Sequence, residues 1–312
     1  MGASVFKIGT RGSKLALIQA ETVKAALTRV HSDLQVEIVV IKTSGDWKPQ
    51  DGETRLAENE GGKGLFAREI EKALLDGAID CGVHSLKDMA SFLPDGLVVD
   101  HVLAREDARD AFISAKYKSI DDLPQGATVG TSSLRRQAFV LAHRPDVKVV
   151  PIRGNVDTRL QKLRDGQADA TILAMAGLNR MGLAKEVTAV IEPEDMLPAC
   201  GQGAVCIETR EGDDKTAALL APLHCFDTGL CVFAEREVLR VLDGSCHTPI
   251  AAYAVIEDDG LMWLRALVAD ERGQSLYYEA GRAEVEGIEG AKAFGRDIGQ
   301  KLKDVIPPDL LT

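Results

Sequence analysis

TVGTSSLRRQAFVLAHRPDVKVVPIRGNVDTRLQKLRDGQADATILA, residues 128–174, decides the fold class. Thr128–Thr131 reads as a strand, and Leu134–His143 reads as a helix stopped by Pro145. Val147–Ile152 is a second strand; Asn155 then caps a helix running to Arg164, with Gly166 beyond it, and Ala170–Ala174 is a third strand. Such alternation predicts an α/β architecture with a largely parallel sheet.

The same rhythm precedes it. Val5–Gly9 is a short strand, and Ser13 caps a helix whose apolar residues Leu15, Ile18, Val23, Ala26, Leu27 and Val30 recur at helical spacing. QVEIVVIK, Gln35–Lys42, is a second strand; a helix over Leu65–Leu75 ends at Gly77, and Ile79–His84 is a buried strand. Thr43–Gly64 is polar, rich in glycine and acid, and aperiodic, which is the mark of a functional or mobile loop. Two similar α/β halves joined near Leu103–Ala104 predict a two-lobed molecule around a cleft.

After Thr228 the pattern changes. A helix over Leu230–Leu242 is followed by AAYAVIED, LMWLRALVAD and LYYEAGRAEV, three alternating stretches that predict a three-stranded antiparallel sheet. A last helix spans about Ala291 to Val305. The expected division is residues 1–103 with 204–221, residues 104–203, and a small α+β domain over 222–312.

The 312 residues carry a net charge of −11, with 45% hydrophobic and 27% charged residues, ordinary for a globular enzyme. That acidic balance argues against general nucleic-acid binding, which needs broad positive surface. The start, MGASVFKIGTRGS, has no apolar run of signal-peptide length and no later stretch suits a membrane span, so a cytoplasmic protein is expected. Cys81, Cys200, Cys206, Cys225, Cys231 and Cys246 form no C-x-x-C pair; free, mostly buried thiols are expected and no metal site.

Arginines collect where strands end, the usual ligand edge of an open α/β sheet. Arg11 follows the first strand, Arg135 and Arg136 follow TVGTSS, Arg153 ends VKVVPIR with Arg159 a turn beyond Gly154-Asn155, and Arg180 follows ILAMAGLN. Thr131, Ser132 and Ser133 add hydroxyls and helix-terminal N–H groups. Guanidinium forks match carboxylates bidentately, so several in one cleft point to a ligand bearing many carboxylates or phosphates. Solvated helix-face charges are the plainer alternative for any single one. Nucleotide readings fail: Gly61-Gly62-Lys63-Gly64 lacks the glycine and hydroxyl positions of a P-loop, and no G-x-G-x-x-G follows the first strand.

VHSLKDM places Lys87 and Asp88 just past a buried strand. A carboxylate there could stabilise developing positive charge or move a proton, or merely cap a turn or pair with Lys87. His84, inside the strand, reads as a satisfied core histidine. In LDGSCHTPI, Cys246 sits among Gly244, Ser245, His247 and Pro249, the setting of an exposed loop thiol: a nucleophile, a redox thiol or a covalent attachment point.

TRGSKLAL, GGKGLF, VHSLKD, REDARDAF, GTSSLRRQ, RGNVDTRL, PACGQGA and DGSCHTPI occur in the order found in the porphobilinogen deaminase (hydroxymethylbilane synthase) family, which the chain resembles over nearly its whole length. The resemblance implies three domains, the first two like periplasmic binding proteins. It implies a dipyrromethane cofactor bound by a thioether to Cys246. It further implies a transferase that condenses four porphobilinogen molecules head to tail with loss of ammonia, then releases the linear tetrapyrrole hydroxymethylbilane by hydrolysis. The family's carboxylate binders fall on Arg11, Ser13, Lys87, Thr131, Ser132, Ser133, Arg135, Arg136, Arg153, Gly154, Asn155, Arg159, Arg180 and Gln202. Asp88 falls on its catalytic aspartate, which hydrogen-bonds pyrrole N–H groups and stabilises the cationic azafulvene. The Thr43–Gly64 loop, with Lys63, falls on an active-site lid, and the family is usually monomeric.

Two positions depart from the pattern. Ala57-Glu58-Asn59-Glu60 is acidic where the family often has a lysine, which leaves Lys63 as the lid's cation near the glycines; Ser245 replaces a glycine common before the cysteine. Two other readings compete. A non-catalytic two-lobed anion receptor would suit the arginines but gives no reason for a loop cysteine. A cysteine hydrolase would need His247 poised on Cys246, although neighbouring side chains in an extended loop point apart.

Overall fold

β1 (Phe6–Arg11) carries apolar side chains on the face that packs beneath α1 (Lys14–Val30), and pairs in parallel with both β2 (Val36–Ile41) and β3 (Cys81–Ser85). The computed structural model describes residues 5–43, 67–243, 249–307 and 310. α2 (Arg68–Leu75) packs against β3, and β4 (Leu97–Val102) lies at the far edge. The fifth strand of this sheet, β10 (Val205–Arg210), comes from a distant part of the chain and inserts antiparallel between β3 and β4.

The second sheet repeats the plan. β6 (Thr128–Gly130) runs parallel to β7 (Lys148–Val150) and β8 (Ala170–Ala174), while β5 (Asp110–Ile113) inserts antiparallel between β8 and β9 (Ala189–Ile191). α3 (Leu134–His143), α4 (Val156–Arg164) and α5 (Met175–Arg180) connect these strands. Both sheets are thus mixed where the sequence suggested largely parallel ones. The reversed strand in each is the one that enters from the other sheet: the chain leaves β4, crosses at residues 103–109 and becomes β5, then leaves β9, crosses back and becomes β10.

After α6 (Asp214–Leu220), α7 (Phe226–Val241) and α8 (Gly287–Val305) pack on one face of an antiparallel sheet of β11 (Ile250–Ile256), β12 (Met262–Ala269) and β13 (Leu276–Ala283). The core between them includes Val238, Ala252, Leu264, Ala266, Ile298 and Leu302. α7 and α8 begin several residues earlier than their sequence patterns suggested. Among the described residues no single helix is long and apolar enough to cross a membrane. Cys81, Cys200, Cys206 and Cys231 are free and buried, as expected, and burial pushes each thiol up, Cys200 to about 12.

Candidate anion site and acid pocket

Parallel strands present their carboxyl ends together, so residues that follow them converge. At the first sheet, Ser13 caps α1 by accepting from the Ala16 N–H at 3.3 Å, as its sequence position suggested. β3 runs into a 3₁₀ turn, Leu86–Asp88, tied down by the Leu86 N–H donating to the Ala204 carbonyl at 3.0 Å. Between these two strand ends lies a pocket of about 60 Å³ lined by Arg11, Ser13, Gln19, His84, Ser85 and Asp88. Asp88 is exposed there, and among the described residues its carboxylate accepts no hydrogen bond. The turn-cap and Lys87-pairing alternatives for Asp88 are therefore not what the geometry displays. Lys87 instead donates to Gln202 Oε1 at 3.3 Å. Burial, and then the nearby Arg136, push the Lys87 ammonium down to about 8, against the pull of Asp88 and Asp110.

His84 is a core histidine, as read: its Nε2 lies 3.0 Å from Glu208 Oε2, both buried. Sequence reasoning missed what surrounds it. Glu208 is wholly buried with its other oxygen unpartnered among the described residues, and Glu71 of α2 is pushed up to about 7, first by burial and then by Glu208.

At the second sheet, the Ser133 hydroxyl caps α3 and the Thr131 hydroxyl accepts from the Ser133 N–H at 3.2 Å. The Ser132 hydroxyl is buried and has no hydrogen-bond partner among the described residues. Arg135 and Arg136, side by side on the first turn, were read as facing a ligand; both are buried and converge on Asp110 of β5. Arg135 Nη2 meets one carboxylate oxygen at 2.6 Å and Arg136 Nη2 the other at 2.8 Å. Arg135 also donates to the Leu197 carbonyl at 2.7 Å, while its Nε is buried without a partner among the described residues. Burial opposes ionisation of Asp110, but the two guanidinium groups outweigh it and hold the carboxyl well below the usual carboxylate range. Gln202 closes the network, donating to Asp110 Oδ1 at 3.0 Å and to the Ala108 carbonyl at 2.7 Å. Lys87, Gln202, Asp110, Arg135 and Arg136 thus form one chain of contacts between the two sheets.

Asp110 lies inside the quoted REDARDAF, but no sequence argument singled it out. The available signal was an acid at the head of a short apolar stretch, DAFI, in a chain with two adjacent arginines to satisfy. Arg105 was missed in the same way: its guanidinium grips Glu235 of α7 at 2.6 and 3.1 Å, joining the first crossover to the third sheet's helix layer.

The remaining cations lie on or beside α4 and α5. Asn155 caps α4, accepting from the Thr158 N–H at 2.9 Å, and Arg159 Nε donates to the Gly154 carbonyl at 2.8 Å. Arg153 is buried, and its carbonyl accepts from Lys162 Nζ at 2.9 Å. Arg180 ends α5, a helix where the sequence suggested only a turn, and donates to the Gly203 carbonyl at 2.8 Å. Burial holds Arg180 below its ordinary value, against the pull of Glu106. Gly203 has φ +91°, and a Cβ there would fall inside the van der Waals shell of the Glu106 carbonyl. PACGQGA therefore passes at backbone range beside the first crossover. Lys63, Cys246 and the loop from residue 44 to 64 lie outside the described residues.

The family model described as "Porphobilinogen deaminase, dipyromethane cofactor binding domain" matches residues 6–218, and that of the C-terminal domain of the same enzyme matches residues 229–304. A curated porphobilinogen deaminase of Nitrobacter hamburgensis is 48% identical over 300 residues, covering 95% of this chain and 92% of that protein. That of Paracoccus denitrificans is 47% identical over 97% of this chain and 95% of its own length. A chloroplastic one from Oryza sativa subsp. japonica is 47% identical over 96% and 84%. A nutrient-binding protein from Burkholderia cenocepacia bound to methionine aligns with 69% of this chain and 90% of its own, at 15% identity and a TM-score of 0.43, too distant a likeness to bear on the site. With both family domains matched in order, and relatives near half identity along almost the entire length, the chain belongs to the porphobilinogen deaminase family.

Proposed function

We propose that this protein is a hydroxymethylbilane synthase, a transferase that condenses four porphobilinogen molecules with loss of ammonia and releases the linear tetrapyrrole by hydrolysis. It would act as a cytoplasmic monomer of three domains, over residues 1–103 with 204–221, 104–203 and 222–312. The observation that carries the reading is the convergence of Lys87, Gln202, Arg135 and Arg136 between the two sheets, beside a pocket that displays Asp88.

The donor set fits a dipyrromethane, which brings several carboxylates. The buried Ser132 hydroxyl and Arg135 Nε both have hydrogen-bonding capacity that no described protein group uses. When bound through Cys246, the dipyrromethane supplies the nucleophilic pyrrole carbon and a covalent tether. Arg11 and Ser13 would take a carboxylate of the incoming porphobilinogen at the pocket. Lys87, Arg135, Arg136, Arg153, Arg159 and Arg180 would hold carboxylates further along the chain, joined by Thr131, Ser132, Ser133, Gly154, Asn155 and Gln202. Asp88, exposed in the pocket, would accept a pyrrole N–H and stabilise the positive charge left as ammonia departs.

Two measurements test this. Intact mass should exceed that of the bare chain by two linked pyrrole units, and the excess should vanish in Cys246→Ser. Asp88→Asn should keep the excess mass and the fold while losing at least about a hundredfold in kcat; kinetics near wild type would remove Asp88 from the mechanism.

A further inference from the structure

α3, whose first turn carries Arg135 and Arg136, is gripped on its flank by the turn between β12 and β13. Gln137 is buried and donates its amide to the Glu271 carbonyl at 2.8 Å. One residue pair further along, Gly273 lies so close to α3 that a Cβ would meet the Ala138 carbonyl and, at 2.5 Å, the Ala142 nitrogen. Its φ of +66° also favours glycine. This is contact of backbone with backbone, and it leaves no room for sliding.

The turn itself is stiff. Although partly desolvated, Asp270 is held below the usual carboxylate range by N–H bonds from Gln274, Arg272 and Ser275. Beneath it, Ala138 and Leu197 pack on Ala251, Leu267 and Ala269 in a small shared core. At the base of the turn, the Ala269 N–H donates to the Pro249 carbonyl at 3.1 Å. Pro249 follows the connection between α7 and β11, and that connection contains Cys246.

We propose that the β12–β13 turn is a positioning element: it fixes the span between the arginine pair on α3 and the domain that carries the attachment cysteine, and so sets how many rings the tethered chain holds before release. This rests on the function proposed above. A chain anchored at one end grows through every shorter length until its carboxylates fill the span. A rigid strut between the two points sets that upper length; a loosened strut shifts it.

The test uses two variants of the full-length protein. Gly273→Ala wedges a methyl between the turn and α3, and Gln137→Ala removes the side-chain clasp while leaving both backbones unchanged. Each is given limiting porphobilinogen, and the masses of enzyme-bound species and of released product are recorded. The expected result is normal cofactor mass, with the most abundant bound species displaced by at least one pyrrole unit and released products of mixed length. A ladder superimposable on wild type, with only rate or thermal stability lowered, would make the contact purely structural and overturn the inference. If Gly273→Ala fails to fold, Gln137→Ala decides alone. A wild-type protein that forms no ladder at all would instead overturn the proposed function, an outcome distinct from an unshifted one.

Discussion

Arg136 sets Nε and Nη2 on a single oxygen of Asp110, at 3.2 and 2.8 Å, with the carboxylate wholly buried. Arg135 occupies the other oxygen, so two guanidinium groups share one internal counter-ion. The shared carboxylate aims both side chains, and it balances only one of the two positive charges.

Replacing Asp110 removes that counter-ion. Asp110→Asn leaves two buried cations uncompensated, and a loss of about 3–5 kcal/mol is expected. The carboxyl's folded value lies below its unfolded one, so its contribution is complete above about pH 4 and lost as pH falls further. Urea unfolding across pH should show the gap between wild type and variant flat at neutral pH and narrowing in acid. A gap that widens in acid would contradict the assignment.

Lys87 loses its charge as pH rises through about 8. A ligand carboxylate stays ionised over that range, so binding weakens only from the protein side. KM for porphobilinogen should rise by about tenfold on crossing that pH. In Lys87→Met it should be high throughout and flat. An equal pH slope in both proteins would place the titrating group elsewhere.

Glu71 gives the opposite kind of linkage from Asp110. Its folded value, about 7, lies above the unfolded one, so the native state binds the extra proton. Stability is therefore lost as pH rises from about 4 to 7, and the full cost is present above that. Glu71→Gln should match wild type in acid and exceed it by about 1–2 kcal/mol at pH 8, the shift being discounted for solvent screening. Denaturant midpoints of the two proteins at several pH values read the difference; a variant weaker than wild type above neutrality would refute the account.

Glu235 is the junction of the first crossover, the PACGQGA loop and the third sheet. Besides Arg105, its oxygens accept from the Gly201 N–H at 2.7 Å and the Ala254 N–H at 2.8 Å. Glu235→Ala should cost about 3–5 kcal/mol by stranding Arg105. Arg105→Lys should also be destabilising, because an ammonium cannot reproduce the two-point grip. Thermal unfolding that leaves Arg105→Lys at the wild-type midpoint would show that the fork geometry is unimportant.

Local signals were read well wherever they acted over one or two turns. α3 and α4 span Leu134–His143 and Val156–Arg164, as Pro145, Asn155 and Gly166 implied, and β8 covers Ala170–Ala174. β4, β5, β9 and β10 went unread. β5 and β9 are short, and β5 and β10 carry the buried acids Asp110 and Glu208, which blur a strand's apolar pattern.

What the sequence determined by itself was the class of fold and the helix caps, because each follows from neighbours along the chain. The ordered motifs placed it in its family on the same footing. The tertiary structure alone decided that β5 and β10 enter reversed, that Arg135 and Arg136 close on Asp110, and that Gly273 abuts α3. Those contacts join residues 25 to more than 100 positions apart. The energetics of burying a charge select its partner by distance in space, to which position along the chain is no guide.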